Sequence, residues 1–393
     1  MNCLNWPKHK HFLQKKLGIN PSEFIRTGFL LKNNFSAHRK LFTANWYYMQ
    51  LRVAPENPLE WLALKTNQVP IPLLHVQMYF IMAKAVMEAA DAGVFDAIYQ
   101  GKNTSETIAE ACHLHPRPTA QLLTLLVSME YLSFENDQFR LTAMAQKWIV
   151  SQSPHSVHAI AVYNNRVAWD WVSNLGNYLR TGQGMESHEV FDEKQWQLYQ
   201  DAMQSVAKSE VREFEKRVPI SKKATRLLDI GGANGQYAAA LCRKLPNLEA
   251  VILDLPEAIE KSSLPADVQN RITYQAGNAL MDDLGENQYD AVLLSNVAHH
   301  FTEAQNQELT GRVARSLRKD GIFIVNEFIR PALDSAPELV GSSSSLFFGL
   351  TSTSGNWTVQ EIQAWQRAAG LKIYKTIRYF TIPGMAMVIA KKS

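Results

Sequence analysis

Cysteine is scarce in this chain. The 393 residues contain Cys3, Cys112 and Cys242, which lie far apart and show none of the short spacings typical of metal ligands. Such a set fits reduced thiols better than a disulfide framework. We therefore expect a cytoplasmic protein without a metal site.

Long apolar runs are missing as well. The most apolar stretch, residues 70–86, is interrupted by His75, Gln77 and Lys84, whereas a membrane-spanning helix needs about 18 apolar residues in succession. The N-terminus lacks the compact apolar run and the small-residue cleavage site of a secretory signal. We expect neither a membrane span nor a secretory signal.

The formal charge of +3 is small, but it is distributed unevenly. Residues 1–60 hold nine Lys or Arg against Glu23, Glu56 and Glu60, so this segment carries +6 and the remainder −3. Aromatic side chains are interleaved with the basic ones. Two interpretations of residues 1–69 stay open: a surface that contacts a membrane or an acidic partner, or a helical extension packed on the domain behind it.

The remaining composition, 46% hydrophobic and 20% charged, is that of a globular protein too long for one ordinary core. Residues 70–150 form the first predicted domain. Its predicted elements are helices at residues 70–95, 107–112 and 117–129, and strands at residues 131–134 and 138–142. Three helices followed by a hairpin are typical of a winged helix.

A winged helix suggests DNA binding, with residues 117–129 as the recognition helix. This segment, however, has Arg117 as its one basic residue and is rich in leucine. It therefore suits burial better than contact with phosphates. Because residues 70–98 and 117–129 carry more apolar side chains than one small domain can bury, we expect a homodimer and no nucleic-acid partner.

Residues 151–221 are predicted to form a helical connector that contributes to a substrate pocket. From residue 222 onwards, short apolar strands alternate with helices, which predicts a doubly wound α/β domain with a parallel sheet. The predicted strands are residues 226–230, 250–253, 272–275, 291–294 and 322–325, and the predicted helices are residues 236–244, 256–261 and 303–317. The last two predicted strands, residues 372–380 and 385–390, are joined by so short a link that they must run antiparallel.

Three glycines follow the first strand of this domain, in the motif Asp229-Ile230-Gly231-Gly232-Ala233-Asn234-Gly235. Glycine lets a backbone turn tightly and approach a ligand closely. Asp254 ends the next strand, where a carboxylate can accept hydrogen bonds from the ribose hydroxyls of a nucleoside. The Gly-Gly-x-x-Gly pattern and the antiparallel ending favour S-adenosylmethionine over a nicotinamide dinucleotide.

The segments Leu-Leu-Asp-Ile-Gly-Gly-Ala-Asn-Gly (residues 227–235), Leu-Asp-Leu-Pro (253–256) and Asn-Val-Ala-His-His-Phe (296–301) closely resemble the small-molecule O-methyltransferases. That family includes plant caffeate and flavonoid enzymes and bacterial secondary-metabolite enzymes. The resemblance covers residues 70–393 and implies a Rossmann-like class I methyltransferase sheet at residues 222–393, preceded by a mainly α-helical winged-helix dimerisation domain. It also implies a homodimer, the cofactor S-adenosyl-L-methionine and a small-molecule substrate.

The resemblance also implies the cofactor contacts. The full set is Asp229, Gly231, Gly232, Gly235, Asp254, Leu255, Gly277, Asn278, Ala279 and Ser295. The first three glycines would line the methionine end, and Asp254 with Leu255 would hold ribose and adenine. Asn278 stands where the family usually has Asp, and its amide oxygen can still accept a hydrogen bond from the adenine amine. Ser295 replaces a Lys that is frequent in the plant enzymes, which puts one cofactor contact in doubt.

Methyl transfer from a sulfonium is an in-line displacement, which needs an aligned and more nucleophilic acceptor oxygen. By the resemblance, His299 is the catalytic base that takes the proton of a phenol or enol, and Glu327 orients it. The second acid that some members place just before a Thr is absent from residues 354–358. For His300, capping of the strand end is the favoured interpretation. An iron site that includes both histidines is an alternative, but neighbouring residues rarely both reach one ion.

The substrate is expected between the domains, against aromatic and thioether side chains that favour a planar aromatic or polyene molecule. The predicted pocket residues are Trp169, Trp171, Tyr199, Met203, Phe347, Phe348 and Trp357. Two other functions stay open. One is methyl transfer to carbon, or a reaction that uses the bound cofactor without methylation. The other is a non-enzymatic regulator that binds S-adenosylmethionine and DNA.

Overall fold

The computed structural model describes residues 53–185, 191–260, 262–333, 337–352 and 354–393. Both interpretations of residues 1–69, a contact surface and a packed helical extension, therefore concern residues that lie mostly outside the described ranges. Within the described ranges, no helix is both long and apolar enough to cross a membrane.

The first described helices differ from the single helix predicted over residues 70–95. Helical structure is continuous from residue 71 to residue 91, through a π-helical turn, and then stops. Gly93 has φ 80°, a left-handed conformation that ends a helix and that glycine adopts without strain. The prediction of one unbroken helix is wrong at this glycine. The helical segments are Pro58–Lys65, Ile71–Leu74, His75–Tyr79, Phe80–Asp91 and Val94–Tyr99.

Two more helices and a hairpin complete the winged helix and confirm the predicted order. The elements are the helices Ser105–Ala111 and Pro116–Ser128 and the strands β1 (Leu132–Glu135) and β2 (Gln138–Leu141). The second helix buries Leu123 and Leu126 in the core of this domain. Asn136 and Asp137 both have positive φ, as the tight turn between two antiparallel strands requires.

A helical connector leads from the winged helix to the sheet. Its helical segments are Ala143–Trp148, His158–Tyr163, Asn164–Ala168, Trp169–Ser173, Leu175–Thr181 and Glu193–Arg217. The last of these begins at Asp192, whose carboxylate accepts a hydrogen bond from the Gln195 N–H at 2.8 Å. This long helix packs against an earlier connector helix and against the first helix that follows the sheet's first strand.

Seven strands form the sheet of the second domain. They are β3 (Arg226–Ile230), β4 (Glu249–Asp254), β5 (Ile272–Ala276), β6 (Tyr289–Ser295), β7 (Leu317–Phe328), β8 (Lys372–Arg378) and β9 (Met385–Lys391). Their order is β5-β4-β3-β6-β7-β9-β8, and β9 runs antiparallel to both neighbours. β7 is longer than the predicted residues 322–325, because Leu317 pairs with Tyr289 of β6 and residues 326–328 pair with β9. The parallel sheet with an antiparallel ending is confirmed.

Helices cover both faces of this sheet. They are Gln236–Lys244, Pro256–Glu260, Glu303–Ser316, Leu339–Thr351 and Val359–Ala368, with 3₁₀ turns at Gln269–Arg271 and Ala298–His300. Successive residues of the central strands enter two separate cores, such as Leu227 in one and Leu228 in the other. The strand order reverses between β3 and β6, and the carboxyl ends of strands at such a point form a ligand-binding crevice.

Candidate active site and cofactor site

The loop after β3 has a conformation that its glycines permit. Gly231, Ala233 and Gly235 have φ of 69°, 41° and 63°. A Cβ atom on Gly231 would lie 2.6 Å from Cγ2 of Val297, and one on Gly232 would lie 2.8 Å from the Asp229 carboxyl carbon. Side chains at these positions would therefore force the loop away from the strand ends, where a ligand has to approach the backbone.

Asp254, at the end of β4, fixes this loop. Its Oδ2 accepts a hydrogen bond from the Ala233 N–H at 2.8 Å, and its Oδ1 accepts one from the Leu255 N–H at 2.8 Å. The carboxylate is only half-buried, so its remaining lone pairs can accept from a ligand. Burial raises the pKa of Asp254, and the two backbone donors offset part of that shift. Leu255 is 50% exposed beside it, as a residue that covers an adenine ring would be.

The turn after β5 holds the other predicted nucleoside residues. Oδ1 of Asn278 accepts a hydrogen bond from the Leu280 N–H at 2.9 Å, and its own N–H donates to Oδ2 of Asp282 at 2.8 Å. A Cβ atom on Gly277 would lie 2.1 Å from that same Asp282 oxygen. The Asn278 oxygen therefore stabilises the turn and keeps one lone pair for a ligand. Ala279 packs on the core below.

Ser295, at the end of β6, is directed into the protein. It is buried, and its Oγ accepts a hydrogen bond from Nδ2 of Asn326 at 2.9 Å. The Asn326 oxygen accepts in turn from the Tyr379 hydroxyl at 2.8 Å. In place of a long cation, this chain has a buried network of neutral side chains at that position.

His299 and Glu327 are brought together as predicted. Nδ1 of His299 lies 3.0 Å from Oε2 of Glu327, and both residues are almost fully buried. The other carboxylate oxygen of Glu327 accepts a hydrogen bond from the Phe328 N–H at 3.0 Å. Because Glu327 occupies Nδ1, the ring nitrogen Nε2 is the one left for a substrate proton. The His300 ring lies beside the His299 ring, tilted by 49° and with 4.1 Å between the ring centroids.

The turn that carries His299 is held from behind. The Ala298 carbonyl accepts hydrogen bonds from the Trp357 indole and from Nδ2 of Asn306, each at 2.9 Å. Trp357 is buried and packs edge-on against Trp365 at 4.9 Å. The structure thus places Trp357 in the core behind the histidine. Its predicted role as a pocket wall stays a prediction, and the observed contacts support the turn.

Residues 354–358, which lack the second acid of some family members, include Asn356. Asn356 is buried there, and its backbone carbonyl accepts a hydrogen bond from Nε of Arg330 at 3.1 Å. Among the residues that the structure describes, no group of three or more His, Cys, Asp or Glu side chains is placed to hold a metal. The iron alternative therefore lacks a set of ligands in the described part of the chain.

Most predicted pocket residues form one aromatic cluster, which we define as Tyr163, Trp171, Phe191, Tyr199, Met203 and Phe347. Phe347 contacts Phe348 edge-on at 5.7 Å, and Phe348 lies 4.2 Å from the His299 ring. At the other end, burial and the charge of Asp254 raise the pKa of Tyr199. The cluster therefore reaches from the end of β4 to the histidine.

Trp169 lies apart from this cluster, with Nζ of Lys84 5.1 Å from its ring centroid. Tyr163 and Phe191 were not predicted, although Phe191 lies between two predicted residues. Its ring stacks on Trp171 at 5.6 Å and contacts Tyr199 at 5.6 Å. Aromatic content in the connector was the available signal, but it does not indicate which rings meet.

Comparisons with known proteins agree with this arrangement. A sequence model of the O-methyltransferase dimerisation domain matches residues 74–151, and one of the O-methyltransferase domain matches residues 168–372. The N,N-dimethyltransferase OxyT of Streptomyces rimosus is 25% identical over 81% of this chain and 96% of its own. The 3-hydroxy-5-methyl-1-naphthoate 3-O-methyltransferase of Streptomyces sahachiroi is 26% identical over 77% of this chain and 89% of its own.

A solved structure has the same fold. The human N-acetylserotonin methyltransferase, in complex with S-adenosylmethionine, superposes with a TM-score of 0.72 at 19% identity, over 87% of this chain and all of that one. The second domain match alone spans more than half of the 393 residues. The chain therefore belongs to the S-adenosylmethionine-dependent O-methyltransferase family, with that family's dimerisation domain before the catalytic domain.

Proposed function

We propose that this enzyme methylates a hydroxyl group of a small, apolar, aromatic or polyene metabolite, with His299 as the general base. The observation that carries the proposal is the buried pair of His299 and Glu327, 3.0 Å apart, with the Phe348 ring 4.2 Å from the histidine ring. A base, its orienting acid and an apolar ring at the same place suit deprotonation of a phenol or enol.

The cofactor residues support this placement. The glycine loop, Asp254 and Leu255 lie at the carboxyl ends of the neighbouring strands β3 and β4, and the turn at Asn278 follows β5 beside them. Adenosine would lie over β4 and β5, and the methionine end would lie over β3 and β6. When bound, S-adenosylmethionine supplies a methyl group on a positively charged sulfur.

The chain's own residues supply alignment and proton transfer. Glu327 accepts the hydrogen on Nδ1 of His299, which fixes the tautomer with a lone pair on Nε2. That lone pair would take the proton of a hydroxyl placed beside Nε2, and the oxygen would then be more nucleophilic towards the methyl group that the cofactor would supply. Glu327 then stabilises the imidazolium. The aromatic cluster excludes water and holds an apolar substrate.

The acceptor atom is tested with cofactor labelled in its methyl group. The enzyme is incubated with it and an extract of the source organism, and label is sought on oxygen, nitrogen or carbon of the product. We expect label on the oxygen of a hydroxylated aromatic or polyene compound. Label on nitrogen would place the chain with its N,N-dimethyltransferase relative. Label on carbon, or turnover without label in the product, would replace O-methylation by one of the alternatives.

We also propose a homodimer formed through the first domain. Leu59, Leu73, Val76 and Phe80 are each more than half exposed on the helices from residue 58 to residue 91, and large apolar areas of this kind are usually covered by a partner. Light scattering should report two chains, and Val76→Asp with Phe80→Asp should shift the protein to one. A wild-type monomer at micromolar concentration would contradict the proposal. A cytoplasmic location stays a prediction.

A further inference from the structure

Glu210 is an acid that the proposed reaction does not use. It lies on the long helix Glu193–Arg217 and is completely buried. Its Oε2 accepts hydrogen bonds from the Tyr237 hydroxyl and, at 3.2 Å, from Nδ2 of Asn296. Its other oxygen, Oε1, has no hydrogen-bond partner among the described residues. No Lys, Arg or His in the described ranges forms an ion pair with it.

Asn296 has the same deficiency. Its Oδ1 is buried and lacks a partner in the part of the chain that the structure describes. Asn296 follows β6 with φ 54°, and its N–H donates to the Asn326 carbonyl at 2.9 Å. This backbone is therefore fixed, and its amide is directed to Glu210. Two buried oxygen acceptors thus lie together and lack a donor.

The oxygens of Glu210 and Asn296 lie near the point where the strand order reverses, between β3 and β6. Asn296 is at the carboxyl end of β6, and Tyr237 is in the first turn of the helix that follows the glycine loop of β3. Val297, the next residue, covers Gly231 of that loop. Glu210 therefore lies beside the carboxyl ends of β3 and β6, where the methionine end of the cofactor is expected.

The electrostatics there favour a cation. Burial raises the pKa of Glu210 to about 7, and the Tyr237 and Asn296 hydrogen bonds offset this only in part. Burial, together with the nearby Asp254 charge, raises the pKa of Asp229 to about 7 as well. An ionised carboxylate in such a place is unfavourable until a positive group pairs with it. An ammonium group carries three donors and no acceptor, which matches two oxygens without donors.

We propose that Glu210 and Asn296 hold the α-ammonium group of the cofactor's methionine. An extended cofactor with its adenosine over β4 and β5 carries its amino-acid end across the glycine loop towards β6, where these oxygens lie. The ammonium would donate to Oε1 of Glu210 and Oδ1 of Asn296. This role rests on the cofactor and its orientation, and it is independent of His299 and of the acceptor atom.

The test compares two ligands that differ in the amino-acid part. S-adenosylhomocysteine has the ammonium group, whereas 5′-methylthioadenosine lacks the whole amino-acid end. Glu210→Gln keeps an oxygen for Tyr237 and Asn296 but removes the charge. Calorimetry should show S-adenosylhomocysteine bound about ten- to a hundredfold more weakly by this variant, the range for a hydrogen bond to a charged group. Affinity for 5′-methylthioadenosine should change less than twofold.

Glu215→Gln is the matched control, because it makes the same chemical change five residues later on the same helix, at a partly exposed site. It should leave both affinities unchanged. Equal weakening of both ligands by Glu210→Gln would show that Glu210 only shapes the loop, and unchanged binding of S-adenosylhomocysteine would show that the ammonium lies elsewhere. Either result overturns the proposal.

A second measurement needs no variant. At pH 7, an ammonium group that pairs with Glu210 should release the proton that the carboxyl partly retains, so binding enthalpy should depend on the buffer's ionisation enthalpy. The titratable groups around Glu210 are Tyr237, Tyr379 and Glu327. S-adenosylhomocysteine should release more protons than 5′-methylthioadenosine, and equal release by the two ligands would contradict the proposal.

Discussion

Glu327 and Glu210 are completely buried near the carboxyl ends of β6 and β7. They differ in the hydrogen-bond partners of their carboxylate oxygens. Glu327 has a partner for each oxygen, the His299 ring and the Phe328 N–H. Glu210 has partners for Oε2 and none in the described residues for Oε1. An acid whose hydrogen bonds are complete can hold another side chain in place. An acid whose hydrogen bonds are incomplete needs a further donor, and in our proposal that donor is the cofactor's ammonium group.

Removal of His299 should have the largest effect on the difference between the two glutamates, because it leaves Oε2 of Glu327, like Oε1 of Glu210, without its observed partner. We expect His299→Ala to lower turnover by about two to four powers of ten, the usual contribution of a general base. Affinity for S-adenosylhomocysteine should stay nearly the same in calorimetry. His300→Ala is the matched control and should have little effect. Near-normal turnover of His299→Ala would contradict general-base catalysis.

Asp254 is a third carboxylate at this edge, and it should affect binding rather than turnover. Asp254→Ala removes the acceptor for the ribose hydroxyls and also frees the Ala233 N–H. We expect a loss of about 1.5 to 3 kcal/mol in cofactor binding by calorimetry. Asp254→Asn retains an oxygen for the loop and should lose less. If Asp254→Ala binds as tightly as the wild type, the ribose lies elsewhere.

The cost of the unpaired acid can be measured without cofactor. Burial raises the pKa of Glu210 from its ordinary 4.5 to about 7 in the folded protein. Below pH 4.5 the carboxyl is protonated in both the folded and the unfolded protein, so its ionisation costs no folding free energy. This cost grows as the pH rises from 4.5 through 7. Glu210→Gln should therefore stabilise the empty protein by up to about 3 kcal/mol at pH 8 and hardly at all near pH 4.5. Denaturant titrations at both pH values test this. A variant destabilised at pH 8 would show that Glu210 is a structural acid.

The smallest effect is expected for Glu327→Gln, which sharpens the comparison between the two glutamates. The amide oxygen still accepts the Nδ1 hydrogen of His299, but it no longer favours the imidazolium. We expect turnover to fall by about tenfold, less than for His299→Ala. Steady-state rates with saturating cofactor measure this. A loss as large as that of His299→Ala would mean that the glutamate charge, rather than the orientation of the ring, dominates.

Local chemistry made much of the fold predictable. β3 and the helix Gln236–Lys244 lie where the apolar run and the glycines placed them, residue for residue. The break at Gly93 was missed because apolar side chains continue at helical spacing across it, and only the positive φ shows that the helix ends. The extra length of β7 comes from pairing of Leu317 with β6 and of residues 326–328 with β9, both of which are distant in the sequence.

The site residues that belong to a sequence motif could be predicted. The site residues that only tertiary packing brings together could not. The resemblance implied that Glu327 orients His299, and the structure places them together, His299 after β6 and Glu327 near the end of the neighbouring β7. Glu210 lies in the charged stretch Ser-Glu-Val-Arg-Glu-Phe-Glu-Lys-Arg, which is typical of a solvated helix face. Its contact with Asn296, 86 residues away, depends on how the long helix packs on the sheet, and no local pattern encodes that.

The position of β9 has a consequence for synthesis of the chain. β9 lies between β7 and β8, and Glu327 is paired across the sheet with Ala386. A chain grows from its N-terminus, so β7 keeps an unpaired edge beside Glu327 until residues 385–391 have been synthesised. The strand that carries Glu327 is therefore paired on both sides only after β9 has been made, later than the glycine loop and Asp254.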